Sequence, residues 1–210
     1  MIEMNWIILA LVVLGAAAWL ANGIRQIGAV SAGEPIREQS GTALLMIDLQ
    51  TVFWDADTFT QAAKAEAKTQ ILAEVDAARS NGIPIIAIRQ EWSIPSTKAV
   101  ARLLMKGQAL EGTSGTELAA PFRDVADHVM IKRVQDAFET KELDALLAQL
   151  NVGKLRIVGL DTNYCIAKTA LAARQRVYDV EIVEQGVLSA DPETAKKTLN
   201  MLRGEQVFLR

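Results

Sequence analysis

The chain has 210 residues, half of them hydrophobic, and a net charge of −3. That length suits one core and one domain, and the acidic balance gives no electrostatic ground for binding nucleic acid. A single cysteine, Cys165, excludes an intrachain disulfide and suits a reducing compartment, and a single histidine, His128, excludes a histidine-rich metal site.

Residues 1–25 read as a hydrophobic N-terminal helix. From Met4 to Ala21 only Asn5 is polar, which gives about 18 residues, near the short limit for crossing a bilayer. Trp6 and Trp19 stand toward the two ends, where interfacial aromatics belong. A cleaved signal sequence is the rival, but it wants a basic start and only Glu3 and the amino terminus precede the apolar run. Ala16-Ala17-Ala18 has the composition of a cleavage site yet falls inside the apolar stretch. A buried core helix is a third reading. A single-pass membrane anchor fits best. Arg25 and Arg37 follow the segment and no Lys or Arg precedes it, so the rest of the chain is expected in the cytoplasm. Residues 26–41, ending in GEPIREQSG, read as a polar linker, and residues 42–210 as the globular domain.

Within that domain, Ala43 to Asp48 is the first strand. Its continuous apolar run, Ala43 to Ile47, is the pattern of a strand covered on both faces. Thr60 to Asn81 is a helix with Ala67, Ile71, Val75 and Ala78 on one face, stopped by Gly82. Pro84 to Arg89 is the second strand. Gln90 to Pro121 is irregular, with Gly107, Gly112 and Gly115, and reads as a pocket-covering loop holding a short helix at Thr97 to Met105. His128 to Lys132 is the third strand and Lys141 to Leu150 a helix. Lys154 to Leu160 is the fourth strand, Tyr164 to Arg176 its helix, and Asp179 to Glu184 the fifth strand. Pro192 to Arg203 is a helix with proline in its first turn, and Gln206 to Leu209 a closing edge strand. Such alternation argues a mostly parallel α/β sheet with helices on both faces. Periodicity does not give the strand order.

Three residues of reactive type close predicted strands or follow them directly. Asp48 ends a buried strand, where a carboxylate is costly unless paired or useful. Lys132 ends another. Cys165 follows the fourth strand, in the first turn of the helix whose face is Ile166, Ala170, Ala173 and Val177. A thiol there feels the positive end of the helix dipole and is expected to favour thiolate, the form that attacks carbonyls. The C-terminal edge of a parallel sheet is where sites form. Together these residues point to a thiol hydrolase, whereas each alone has a structural explanation.

The segments LLMIDLQTVF (Leu44 to Phe53), EGTSGTEL (Glu111 to Leu118), IKRVQDAFETKEL (Ile131 to Leu143) and VGLDTNYCIAKTALAARQRVYDVEIVEQGVLS (Val158 to Ser189) occur in an order that resembles the isochorismatase-like cysteine hydrolase superfamily. The resemblance covers roughly Gly41 to Arg210. It implies a doubly wound, six-stranded sheet of order 3-2-1-4-5-6 and a catalytic triad of Asp48, Lys132 and Cys165. It also implies an oxyanion hole from the backbone N–H groups of Asp161 and Cys165, beside a cis peptide between Leu160 and Asp161. Family members commonly have a small apolar residue where this chain has Asp161. Its carboxylate either turns away or selects a cationic or donor-rich substrate.

Phe53 and Trp54 lie where the family places aromatic substrate contacts, with ordinary loop packing as the alternative. Trp92, Gln135, Phe138 and Tyr164 are further candidates because each is close in sequence to a triad strand. Arg89 either binds a substrate carboxylate or is simply solvated or paired. The nicotinamidase branch binds a divalent ion through an Asp and several histidines after the second strand. This chain has Arg89-Gln90-Glu91-Trp92 there, so the resemblance implies the metal-free branch, with no cofactor. Isochorismatase proper does not use the cysteine, so Cys165 argues against that activity. The expected function is hydrolysis of a small amide, ureido or carbamoyl compound, in a homo-oligomer as family members usually form. The alternative is a catalytically weak scaffold or binding protein that keeps the fold.

Overall fold

The structure is a computed structural model that describes residues 2–210, with side chains from Trp6 onward. The predicted apolar segment starts at Met4, so its first two side chains lie outside those described. Helix α1 (Ile2–Ile27) is followed by an extended segment and strand β1 (Gly41–Ile47). A helical turn α2 (Thr51–Trp54), helix α3 (Gln61–Ser80), strand β2 (Ile85–Gln90) and helix α4 (Pro95–Leu104) come next. Strand β3 (His128–Lys132), helix α5 (Glu142–Gln149) and strand β4 (Val152–Leu160) lead to a wide turn (Thr162–Ile166) and helix α6 (Ala167–Gln175). Strand β5 (Asp179–Leu188), helix α7 (Pro192–Gly204) and strand β6 (Phe208–Leu209) finish the chain. All six strands are parallel, in the order β3-β2-β1-β4-β5-β6, as the resemblance implied.

Strand alternation divides the core. Ala43, Leu45 and Ile47 of β1 face α5, α6 and α7 through Leu143, Leu147, Ala170, Ala173 and Leu202. Leu44 and Met46 face the other way, onto Ala67, Ile71, Val75 and Ala78 of α3. Thr60 caps α3 by accepting from the Ala63 N–H. Both central strands are therefore covered twice, which is why they read as unbroken apolar runs.

Two segments behave differently from a tether and a loose linker. Side chains of α1 are exposed from Trp6 to Trp19, which removes the reading of a buried core helix, but its last turns are docked. Gly23 lies against Ser96 of α4 so closely that a Cβ there would sit 2.8 Å from the Ser96 carbonyl oxygen. Leu20 and Ile27 pack with Trp92, Val100 and Ala101. Downstream, the wholly buried Arg176 donates to the carbonyls of Ser31 and Ala32 and pairs with Asp144 at 2.6 Å. Asp136 accepts from the Ser31 N–H at 2.7 Å, so the segment before β1 is held against the domain.

Candidate active site

The site lies where the strand order reverses, between β1 and β4. At the end of β1, Asp48 turns the chain with φ +54°, a left-handed conformation that Asp tolerates better than most residues. Gly159 makes the approach of β4 possible. Its φ is +122°, and a Cβ there would lie 2.1 Å from the Ile47 carbonyl oxygen. One residue later comes the cis bond between Leu160 and Asp161, as expected. The chain then makes a π-type turn, in which Ile166 N–H reaches back to the Asp161 carbonyl at 3.2 Å. Cys165 sits in this turn rather than in the first α-turn, because α6 proper begins at Ala167.

Asp48, Lys132 and Cys165 meet as the motifs implied. Lys132 Nζ lies 2.9 Å from Asp48 Oδ2 and donates to Cys165 Sγ at 3.2 Å. It also donates to the Gln90 side-chain oxygen and to the Val134 carbonyl. Lys132 is buried, and although burial alone would lower its pKa, the charge of Asp48 raises it, so it stays an ammonium. Burial raises Asp48 above the usual carboxylate range, and Lys132 opposes that rise. Asp48 Oδ1 is buried with no hydrogen-bond partner.

The thiol does not match the expected thiolate. Burial and then the Asp48 carboxylate push Cys165 far above the ordinary thiol value, and Lys132 compensates only in part. The helix dipole is a local effect, and desolvation of the sulfur among core side chains outweighs it.

Above the sulfur is a pocket of about 390 Å³ lined by Asp48, Gln90, Leu160, Asp161 and Cys165 at its floor and largely by apolar side chains on its walls. Phe53, Trp92, Gln135 and Tyr164 line it as predicted. Trp54 and Phe138 do not. Trp54 turns into the α3 face of the core, edge-on to Phe122 at 4.8 Å between ring centres. Phe138 is buried against Tyr178, with the Arg176 guanidinium over its ring. Arg89 points away, pairing with Glu91 and donating to the Thr116 carbonyl.

Asp161 also lines the pocket, but its carboxylate turns back. It accepts from the N–H groups of Asn163 (2.8 Å) and Ala190 (2.7 Å) and from the Ser189 hydroxyl. It therefore caps the turn instead of facing the sulfur. Thr58, Phe59, Met105 and Gln108 are wall residues that sequence reasoning missed. Gln90 is the more informative omission. It ends strand β2 one residue after Arg89, so the signal that found Asp48 stopped one residue short of it. Gln50 fixes it, accepting from the Gln90 N–H at 2.6 Å and donating to its carbonyl at 3.0 Å.

A family profile for the isochorismatase domain matches residues 42–209. The chain belongs to that family. It is 28% identical over 162 residues to a probable inactive nicotinamidase of Arabidopsis thaliana, covering 72% of this chain and 83% of the relative. Its isochorismatase fold superimposes on a pyrazinamidase/nicotinamidase of Streptococcus mutans with a TM-score of 0.70 at 23% identity, over 81% of this chain and all of that one. An N-carbamoylsarcosine amidase of Thermoplasma acidophilum is similar too, with a TM-score of 0.69 at 21% identity, over 81% of this chain and 96% of that one. Helix α1 precedes the matched domain. Among the described residues no three His, Cys, Asp or Glu side chains gather as metal ligands would.

Proposed function

We propose that this chain is a membrane-anchored, metal-independent cysteine hydrolase of a small amide, ureido or carbamoyl compound. The observation that carries this reading is the contact of Lys132 with both Cys165 and Asp48 at the floor of an open, mostly apolar pocket. In the resting site Cys165 is a neutral thiol, Asp48 a carboxylate and Lys132 an ammonium. Substrate entry excludes water, and the S–H proton passes to Asp48, whose unpartnered Oδ1 has room to accept it.

The thiolate then forms a bond to the carbonyl carbon, and the carbonyl π electrons move to oxygen. Lys132 stabilises the thiolate as it forms, since the ammonium already touches the sulfur. The backbone N–H groups of Asp161 and Cys165 are the donors assigned to the oxyanion. Asp48 returns its proton to the leaving nitrogen as the C–N bond breaks, which leaves a thioester. Water, deprotonated by Asp48, attacks the thioester, and the departing thiolate recovers that proton. Gln90 positions Lys132 without touching the reacting atoms. Phe53, Trp92, Gln135 and Tyr164 contact the substrate.

The membrane part of the proposal rests on α1. Its stretch Trp6–Ile27 is 22 residues long and apolar enough to cross a bilayer. The basic residues Arg25 and Arg37, which follow the apolar run, support a cytoplasmic domain. The test of the catalytic part is release of ammonia or amine by the full chain from a panel of small amides, ureides and carbamoyl compounds. Turnover should be abolished by Asp48→Asn.

A second reading, a catalytically weak scaffold, draws on the neutral, buried thiol and on the likeness to the Arabidopsis relative. It predicts no turnover across the panel, together with saturable binding of a panel member that Asp48→Asn leaves intact.

A further inference from the structure

Leu103 and Leu104 close α4 with 68% and 69% of their surface exposed. Exposed Arg102 and Lys106 flank them. A single exposed leucine needs no explanation. An adjacent pair at the end of an amphipathic helix, with a cation before it on the helix and another just beyond it, has the composition of an interfacial segment. Such a helix seats leucines at the acyl boundary and cations among anionic headgroups.

The position of α4 agrees with its composition. Its first turn carries Ser96, which meets Gly23 and hydrogen-bonds Gln26 of α1. Val100 and Ala101, in its middle, share a cluster with Leu20 and Ile27. Helix α4 is thus bound to the C-terminal end of the one described helix long and apolar enough to cross a membrane, beside the exposed Arg25. The residue after Leu104 is Met105, which lines the pocket.

We propose that the end of α4 is a second membrane contact, with the anionic bilayer surface as its occupant, and that it holds the pocket wall at the lipid–water interface. This rests on α1 lying in the bilayer, as proposed above. Continuity with α1 and the charge match of Arg102 and Lys106 to anionic headgroups select the bilayer over a second copy of the chain.

The test uses the full chain on a Cys165→Ala background, reconstituted into vesicles of phosphatidylcholine and phosphatidylglycerol. An environment-sensitive fluorophore is attached at Leu104→Cys, with references at Ala16→Cys within α1 and at Val177→Cys. Val177 follows α6 and precedes β5, so it lies at the opposite edge of the sheet from the pocket. Doxyl-labelled lipids should quench the probes at positions 104 and 16 and spare the probe at 177. Replacing Arg102 and Lys106 with Gln should reduce the quenching at 104. A probe at 104 as little quenched as that at 177 overturns the proposal. If the probe at 16 is quenched in that case, the anchor stands and only the α4 contact falls; if it is also spared, the anchor reading falls with it. Cross-linking of Leu104→Cys between two copies, with no lipid quenching, would assign the surface to a second chain and equally overturn the proposal.

Discussion

Lys132 Nζ touches Cys165 Sγ at 3.2 Å, yet the thiol it touches keeps its proton, because burial and Asp48 together outweigh one ammonium. The charges of the site sit on the Asp48–Lys132 pair, and in the proposed mechanism the thiolate forms only when Asp48 takes the proton. Iodoacetamide should therefore alkylate Cys165 in the folded chain at pH 7 more slowly than it does an ordinary exposed thiol. The rate should still be climbing at pH 9.0, the ordinary value for this group, without levelling off. A plateau below pH 7 would mean a resting thiolate.

The same displacement appears in stability. In the unfolded chain the thiol ionises near its ordinary value of 9.0, while the folded chain holds the proton to a much higher pH. The folded state then binds more protons, so stability falls as pH rises through this window. Urea denaturation of wild type above pH 9 should lose up to about 1.4 kcal/mol per pH unit more than Cys165→Ala. Parallel curves for the two proteins would refute a raised thiol.

Removing Lys132 leaves the buried Asp48 without its counter-charge. Lys132→Met should cost about 3–5 kcal/mol of stability, and adding Asp48→Asn to it should recover part of that loss. In active protein, kcat/KM should rise with pH through an acidic limb set by Asp48. Burial places that limb above 3.8, the ordinary value for an aspartate. A limb at or below that value would show that Lys132 outweighs burial.

Gly159 admits no side chain. Its φ of +122° and the 2.1 Å approach of a hypothetical Cβ to the Ile47 carbonyl mean that Gly159→Ala must push β4 from β1. Because Asp48 and the Cys165 turn hang from these two strands, turnover should fall below detection. Thermal unfolding should show a destabilisation of several kcal/mol, on the order of the largest single-residue effects. Wild-type turnover in this variant would show that the strand spacing is not critical.

The fold was legible because β1, β2 and β4 are buried on both faces and α3 carries a clean apolar stripe. Strand order came only through the family resemblance, since periodicity carries no information about lateral neighbours. Asp48 and Lys132 were visible as polar residues closing apolar strands, but at the second strand the same signal pointed to Arg89, one residue short of Gln90. Phe138 was misplaced because closeness in sequence to a strand bearing Asp48, Lys132 or Cys165 says nothing about which face of the sheet a ring turns to, and for Trp54 the alternative of ordinary packing is the one realised. The raised thiol was hidden for a related reason: the helix-dipole argument sees the local turn, whereas the pKa depends on burial by distant segments. Docking of α1 was invisible too, because Gly23 looks like any glycine in an apolar helix until Ser96 is found against it.

That docking ties α1 to the pocket wall. Trp92, Phe53 and Met105 line the pocket and also pack in the cluster that receives Leu20 and Ile27. Although Asp48, Lys132 and Cys165 all lie beyond Gly41, Gly23→Leu should lift α1 from α4 and loosen this wall. KM should rise severalfold while kcat changes little, because the Asp48, Lys132 and Cys165 contacts are untouched. Unchanged kinetics with α1 demonstrably displaced would show that the wall stands without it.

The central claim is that Cys165 is the nucleophile. Its most direct test is the steady-state rate of Cys165→Ala on any amide that the wild-type chain hydrolyses, with folding checked by circular dichroism. In the folded variant kcat should fall by about 10³-fold or more, as for other enzymes that lose a covalent nucleophile. A folded Cys165→Ala protein that retains wild-type turnover would show that Cys165 is not the nucleophile.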